Sequence, residues 1–236
     1  MKLYYWAINF RGMHITAMAR YAGVECEVAS VKELIELKNA PMNDNNPAIF
    51  MAPPLLQDGD HYYSQAPAIV AHLGRKTGLA PSDPHMMTLC DMVVGNCNDI
   101  MNELTLNCGM KRWDPFDLDE FETFISGRFV KWCAITEALA KREGLKADSK
   151  FYLGGDSATY ADTSVFACFA IMERCLPLLS PVLRENMPYV MALIDRMAAN
   201  PGLKDLLDNL DTNRYCGGYI EASLRATLNA SSLGKK

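Results

Sequence analysis

The stretch that most constrains this chain is Ala52–Gly78, APPLLQDGDHYYSQAPAIVAHLGRKTG. Pro54–Leu56 reads as a short apolar strand. Asp58-Gly59 favours the left-handed backbone of a two-residue hairpin turn, which predicts a second strand at His61–Tyr63. Ser64–Pro67 then punctuates the start of a helix. Pro67 is tolerated in the first turn because the N–H it lacks would have no intrahelical partner there. Ala66, Ile69, Val70 and Leu73 keep helical spacing until Gly78 ends it.

Ahead of this stretch, Lys2–Ile8 (KLYYWAI) is β-branched and aromatic enough for a strand, and Asn9–Gly12 reads as a loop. A helix is expected over Met13–Ala22, closing at Gly23, then a short strand at Cys26–Ala29 and a helical segment at Val31–Leu37. Asn39–Pro47 (NAPMNDNNP) is a polar loop with several turn formers. The order strand–helix–strand–helix–strand–strand–helix is that of an α/β thioredoxin-like domain, assigned to residues 1–78. Thr77–Pro84, which holds Gly78, Pro81 and Pro84, reads as a linker. Strand signals stop beyond it, so residues 85–236 are expected to form an all-α helical bundle with a C-terminal tail. Its helical patterns fall at His85–Asn107, Leu118–Arg142, Leu183–Ala199 and Leu203–Leu210, with Lys111–Asp117 (KRWDPFD) separating the first two. Thr159 and Asp162 have the spacing of a capping box ahead of the apolar run Val165–Met172, which gives Asp162 a folding role. In the tail, Gly217-Gly218 precedes a short helix over Tyr219–Leu228.

Composition narrows the function. A chain of 236 residues, half of them apolar, can bury a sizeable core. A formal net charge of −5 without charge blocks argues against a nucleic-acid partner. There is no run of 18 apolar residues, and MKLYYWAINF has too short an apolar region for a signal peptide, so a cytoplasmic protein with no membrane association is expected. The eight cysteines show no CxxC and read as buried thiols of a reducing compartment. The four histidines supply no HExxH and no Cys/His cluster, so no metal is expected.

The string P-x-L-x-D-G-D, followed by S-Q-A-x-A-I and H-L-G-R-K-T-G-L, resembles the glutathione-binding half of the cytosolic glutathione transferases. The later F-Y-L-G-G-D-S-A-T-Y-A-D resembles that family's lead into its buried sixth helix, and the likeness extends over roughly residues 1 to 210. It implies a cis Pro54, with Pro53 presenting its backbone to the cysteinyl part of glutathione. The family's Gln-Ser pair holds the γ-glutamyl carboxylate at a helix N-terminus, where free N–H groups and the positive dipole end suit an anion. Here the pair is Gln65-Ala66, without the hydroxyl, and Pro53 has a carbonyl but no N–H. Each missing hydrogen bond is worth roughly 0.5–1.5 kcal/mol, so together they weaken such a site about tenfold to a hundredfold. The resemblance also implies glutathione as co-substrate and a homodimer. In it, Asp99 either reaches the partner's glutathione amino group or remains an exposed helix carboxylate.

The family's chemistry is attack by the glutathione thiolate on an electrophile. A thiol of pKa near 8.5 is only a few per cent ionised at pH 7, so a donor or positive charge is needed at the sulfur. K-L-Y-Y-W followed by R-G resembles the tyrosine-type mu and sigma classes, which implies that Tyr5 is the donor and that Trp6 and Arg11 line the glutathione site. The loop to Arg11-Gly12 is two residues longer than in those classes and matches the beta class, whose cysteine position is Phe10 here. No Ser or Cys lies between Tyr5 and Gly12, which argues against serine and cysteine mechanisms. Asn9 and Arg11 are the alternative donors, with Tyr5 then a packed strand aromatic; because strand side chains alternate, Tyr4 and Tyr5 must face opposite sides. Trp113 either lines the electrophile pocket or packs in the core, and the tail either covers that pocket or is loose. The leading expectation is a transferase conjugating glutathione to small apolar electrophiles. The alternatives are a non-catalytic structural or assembly protein of the same family and a glutathione-dependent isomerase or peroxidase of sigma type.

Overall fold

The computed structural model describes residues 1–235. Four strands, β1 (Lys2–Tyr4), β2 (Glu27–Val28), β3 (Leu55–Asp58) and β4 (His61–Ser64), form a sheet of order β2-β1-β3-β4. β1 runs parallel to β2 and antiparallel to β3, and β3 pairs with β4 through the turn at Gly59, whose φ is +62°. Three helices accompany the sheet: α1 (Met13–Tyr21), α2 (Val31–Lys38) and α3 (Ala66–Thr77). The rest is helical: α4 (Pro84–Thr105), α5 (Asp119–Thr123), α6 (Val130–Glu143), α7 (Tyr160–Cys175), α8 (Ser180–Asn186), α9 (Pro188–Met197), α10 (Pro201–Asp208) and α11 (Gly218–Ala230). A thioredoxin-like sheet followed by a helical region is the architecture expected.

Alternation along β1 divides the core. Tyr4 packs with Ala29, Leu34 and Leu55 under α2, whereas Leu3 and Tyr5 face the larger core shared by α1, α3, α4 and α7. α7 is the axis of that core: most of its residues are buried, including the polar Asp162, Thr163 and Ser164. Its N-terminus is closed by the capping box. Asp162 Oδ2 accepts from Thr159 N at 2.7 Å and Thr159 Oγ1 at 2.9 Å, and its Oδ1 accepts from Tyr152 N at 2.6 Å. One carboxylate thus fixes a helix start and the loop that approaches it.

Three expected elements differ. β1 stops at Tyr4 instead of Ile8, because the chain turns away: Ile8 N donates to Trp6 O and Asn9 N to Arg214 O. The Leu118–Arg142 helix is interrupted by a π-helical turn at Phe124–Phe129. That turn contains Gly127, a weak helix former, and Ser126, whose hydroxyl donates to Glu122 O at 2.7 Å, a back-bond that bends helices. Leu183–Ala199 is two helices, α8 and α9, because Pro188 has no N–H to continue α8. Pro188 instead opens α9, and the buried Glu137 of α6 accepts from the N–H groups of Tyr189 and Val190 at 3.2 and 3.1 Å. Trp113 is a core residue, 4% exposed, with Nε1 donating to Leu104 O and its ring edge-on to Phe121. The tail is not loose. Leu224 and Leu228 are buried, Ser223 donates to Trp113 O, and Ser232 binds Glu122.

Two stability measurements follow from these contacts. Asp162→Ala strands two backbone donors, and a loss of about 2–4 kcal/mol is expected, read as a drop of several degrees in Tm; an unchanged Tm would deny the cap its role. In the hairpin, Asp58 accepts from Lys76 at 2.5 Å and pairs with His72 at 2.9 Å, and these partners, Lys76 first, hold its carboxyl below the usual range. A depressed carboxyl contributes stability that is complete above its unfolded value of about 4 and is lost as pH falls through the folded value. Asp58→Asn should therefore be less stable than the parent at pH 7, and urea titrations should show the gap closing below about pH 4.

Candidate active site

The sheet register brings three chain segments together. Tyr4 pairs with Leu55, and Leu55 pairs with Ser64. The next residues on the three chains, Tyr5, Pro54 and Gln65, therefore leave the sheet side by side at one end. The Pro53-Pro54 bond is cis. Pro54 is buried and Pro53 half-buried, with only a carbonyl to offer. Gln65 is the exposed N-cap of α3, with φ +70° and ψ 114°, a conformation that non-glycine residues adopt at local cost and that clusters at ligand sites. Its side chain caps no N–H of the helix, and Pro67 follows in the first turn. The first-turn N–H of Ala66 lies at this helix N-terminus, and Ala66 itself is buried.

Tyr5 is 6% exposed, and its ring lies flat against Gly12. A Cβ at Gly12 would meet Tyr5 Cδ1 at 2.4 Å, so only glycine allows the approach. Burial pushes the Tyr5 hydroxyl pKa up to about 12, against the pull of the Arg11 charge and of the Gly12 and Arg11 N–H groups. The hydroxyl is therefore protonated at neutral pH and available as a donor. Trp6 is half-buried against the Tyr4 cluster. On the β2 side of Tyr5 lies a cleft of about 430 Å³, lined by Tyr5, Trp6, Ile8, Met13, Leu206 and Leu210 and also by the charged Arg20, Asp205, Asp211 and Arg214. Tyr5 thus stands between that cleft and the Pro54–Gln65 edge.

The two alternative donors are engaged elsewhere. Asn9 Nδ2 donates to Asp211 O at 2.6 Å, 202 residues away in sequence. Arg11 donates through Nε to Asn98 Oδ1 at 2.8 Å and through Nη2 to Asn102 Oδ1 at 3.1 Å, with its guanidinium 4.8 Å from the Phe10 ring centre. Asp99, one residue from Asn98, is exposed and has no hydrogen bond or ion pair among the described residues. The structure brings Tyr5, Trp6, Pro53, Pro54, Gln65 and Ala66 to one end of the sheet, with Arg11 on the loop beside it and Asp99 on the outer face of α4. The sequence reading passed over Asn98 and Asn102; two amides one turn apart on a helix are common on surfaces, and only the fold sets them against Arg11. It also passed over Leu206 and Leu210, whose place beside Tyr5 depends on the packing of α10 along α1. Among the described residues, no group of three or more His, Cys, Asp or Glu side chains converges as metal ligands.

Comparison with known proteins bears on the family and the fold. The profile of the family "Glutathione S-transferase, C-terminal domain" matches residues 89–227. The chain is 25% identical over 218 residues to the glutathione S-transferase of Plasmodium falciparum, covering 90% of this chain and 97% of that one. It is 27% identical over 156 residues to glutathione S-transferase P of Homo sapiens, covering 65% and 67%. In three dimensions it is similar to the Pi-class glutathione S-transferase of Onchocerca volvulus, with a TM-score of 0.69 at 21% identity over 88% of this chain and 91% of that one. It is also similar to prostaglandin synthase D of Nilaparvata lugens, with a TM-score of 0.66 at 18% identity over 88% and 96%. The last two likenesses speak to the fold. With more than half its length matched by the family profile and a cis proline, hairpin and α3 N-terminus gathered beside Tyr5, the chain belongs to the glutathione S-transferase family.

Proposed function

We propose that the protein is a glutathione transferase that conjugates the glutathione thiolate to small apolar electrophiles. The observation that carries this reading is the position of Tyr5, a protonated tyrosine on the strand end between the Pro54–Gln65 edge and a cleft lined in part by Leu206 and Leu210. Glutathione lies along that edge, its γ-glutamyl carboxylate at the N-terminus of α3 near Gln65 and Ala66, its cysteinyl part against Pro53 and Pro54, and Trp6 beside it. The thiol is then at Tyr5. Its S–H bond breaks, the proton passes to water, and the Tyr5 hydroxyl donates to the resulting thiolate. The sulfur lone pair then forms the new S–C bond with an electrophile in the cleft while that carbon's bond to its leaving group breaks, the leaving group (chloride in chlorodinitrobenzene) departing with the bonding pair. Tyr5 acts as a hydrogen-bond donor and stays protonated throughout. The tyrosine-type assignment, nearest to mu and sigma, rests on K-L-Y-Y-W ahead of Arg11-Gly12.

We further assign residues 1–78 to a glutathione-binding domain and 85–236 to a helical one. A homodimer is supported by exposed apolar side chains on the loop before Pro53, Ile49 at 73% and Met51 at 86%, and by the unpaired Asp99 offered to a partner's glutathione. Eight free thiols favour the cytoplasm. The incomplete anion site, Ala66 for Ser and Pro53 without an N–H, favours one second reading: a family member that has kept the fold and given up catalysis.

Isothermal titration separates them. Glutathione binding in the micromolar to low-millimolar range is expected, with kcat/KM on chlorodinitrobenzene falling about 10- to 100-fold in Tyr5→Phe, the worth of one hydrogen bond to a charged sulfur. No heat at several millimolar glutathione would favour the non-catalytic reading. Unchanged activity in Tyr5→Phe would remove Tyr5 from the sulfur. Ala66→Ser restores a hydroxyl at the carboxylate position, and glutathione binding about threefold to tenfold tighter is expected in the same titration; unchanged affinity would place the carboxylate elsewhere.

A further inference from the structure

We propose that Asn98 and Asn102 of α4 are positioning residues that hold the Arg11 guanidinium, on the turn whose Gly12 packs against the Tyr5 ring, without neutralising it, so that its full charge favours the thiolate of bound glutathione. This inference rests on the transferase reading above and adds to it the source of positive potential at the sulfur.

A half-buried guanidinium is usually matched by carboxylates, because taking a charge from water is costly unless it is paired. Arg11 is matched by two neutral carboxamides, at 2.8 and 3.1 Å, and forms no ion pair among the described residues. The amide oxygens accept from two of its five N–H donors and fix its direction but bring no negative charge. It also lies over the face of the Phe10 ring. Helical spacing explains why both amides reach it: Asn98 and Asn102 are four residues apart and share one face of α4. Asn102 is itself confined by the backbone of Gly109, where φ is +77° and a Cβ would lie 2.5 Å from Nδ2.

The other groups facing this region leave the charge in place. His14 of α1 is buried and held neutral, its pKa pushed down to about 4, with Nδ1 unpartnered and Nε2 against Met101 Sδ. On the C-terminal segment, burial keeps the Tyr215 hydroxyl and the Cys216 thiol protonated, the latter with a pKa pushed up to about 12. Asp211 of that segment is paired with Arg214. On α4, Glu103 is taken by Arg128 and the Trp132 indole, and Asp99 is exposed. The Arg11 charge already pulls on the Tyr5 hydroxyl together with the Gly12 and Arg11 N–H groups. A thiolate accepting from that hydroxyl would lie in the same field.

A purely structural role and an electrostatic one predict opposite results from one isosteric change. Asn98→Asp and Asn102→Asp keep the shape and strengthen the bond to Arg11, yet cancel its charge. The readouts are ultraviolet thiolate absorbance of glutathione bound to the full-length protein, titrated against pH, and the pH profile of kcat/KM. The proposal expects the bound thiol pKa and the acid limb to move up by about one unit, so kcat/KM falls about tenfold below that limb and recovers at alkaline pH. Glutathione affinity measured by titration should change by less. Should either Asp variant fail to fold, Asn98→Ser or Asn102→Ser loosens the same bond, and a smaller shift in the same direction is expected. An unmoved thiol pKa in folded variants that still bind and conjugate glutathione overturns the inference and leaves the transferase reading intact. A parent protein that binds no glutathione overturns both.

Discussion

The site depends on strand register. Tyr5, Pro54 and Gln65 come from three segments that meet only because Tyr4 pairs with Leu55 and Leu55 with Ser64. A slip of one residue between β1 and β3 would reverse the two faces, sending Tyr5 into the α2 cluster and Tyr4 toward the larger core. Such a slip is opposed from both sides: Leu3 and Tyr5 fill the core with α1, and Tyr4 packs with Leu34 and Leu55 beneath α2. The Tyr4 hydroxyl adds a bond to Gln57 across the strands. Packing on both faces of a short sheet fixes the positions of Tyr5, Pro54 and Gln65.

From that row the rest of the molecule can be read as support. Gly12 lets the Tyr5 ring lie flat on the turn into α1, and α1 packs on α7, whose start is fixed by Asp162. The loop after Tyr5 is held by two distant parts of the chain, α4 through Arg11 and the C-terminal segment through Asn9, with Tyr215 edge-on to Phe10 at 5.6 Å. Residues far away in sequence thus set how rigidly the loop after Tyr5 is held. The cleft beside Tyr5 is closed by α10, where Arg20 of α1 meets Asp205 at 3.2 Å. That exposed pair contributes little stability by itself and serves mainly to define the rim.

How far the sequence could be read follows from where each signal resides. The hairpin, the α3 start and the Thr159–Asp162 box are specified by neighbouring residues, and they stand where their local chemistry puts them. The break at Pro188 was also local, written in a residue without an N–H, though an apolar pattern spanning it suggested one helix. The π-helical turn at Phe124–Phe129 sets Phe124 against the Trp113 ring and Phe129 against Phe124, contacts that periodicity does not encode. The engagement of Asn9, the burial of Trp113 and the seating of α11 are long-range facts. For the site, the residue types Tyr5, Pro54 and Gln65 were legible through a family resemblance, whereas the amides that hold Arg11 lie 87 and 91 residues away and became visible only in the fold.

In the proposed transferase, Tyr5 marks the meeting point of a glutathione edge and an electrophile cleft. The most direct measurement is a crystal structure of the protein with glutathione bound. The account expects the sulfur within about 3.5 Å of the Tyr5 hydroxyl, allowing for the longer reach of a sulfur acceptor, the γ-glutamyl carboxylate at the N-terminus of α3, and the sulfur turned toward the cleft lined by Leu206 and Leu210. Glutathione seated with its sulfur away from Tyr5, or with its carboxylate remote from Gln65 and Ala66, would contradict it.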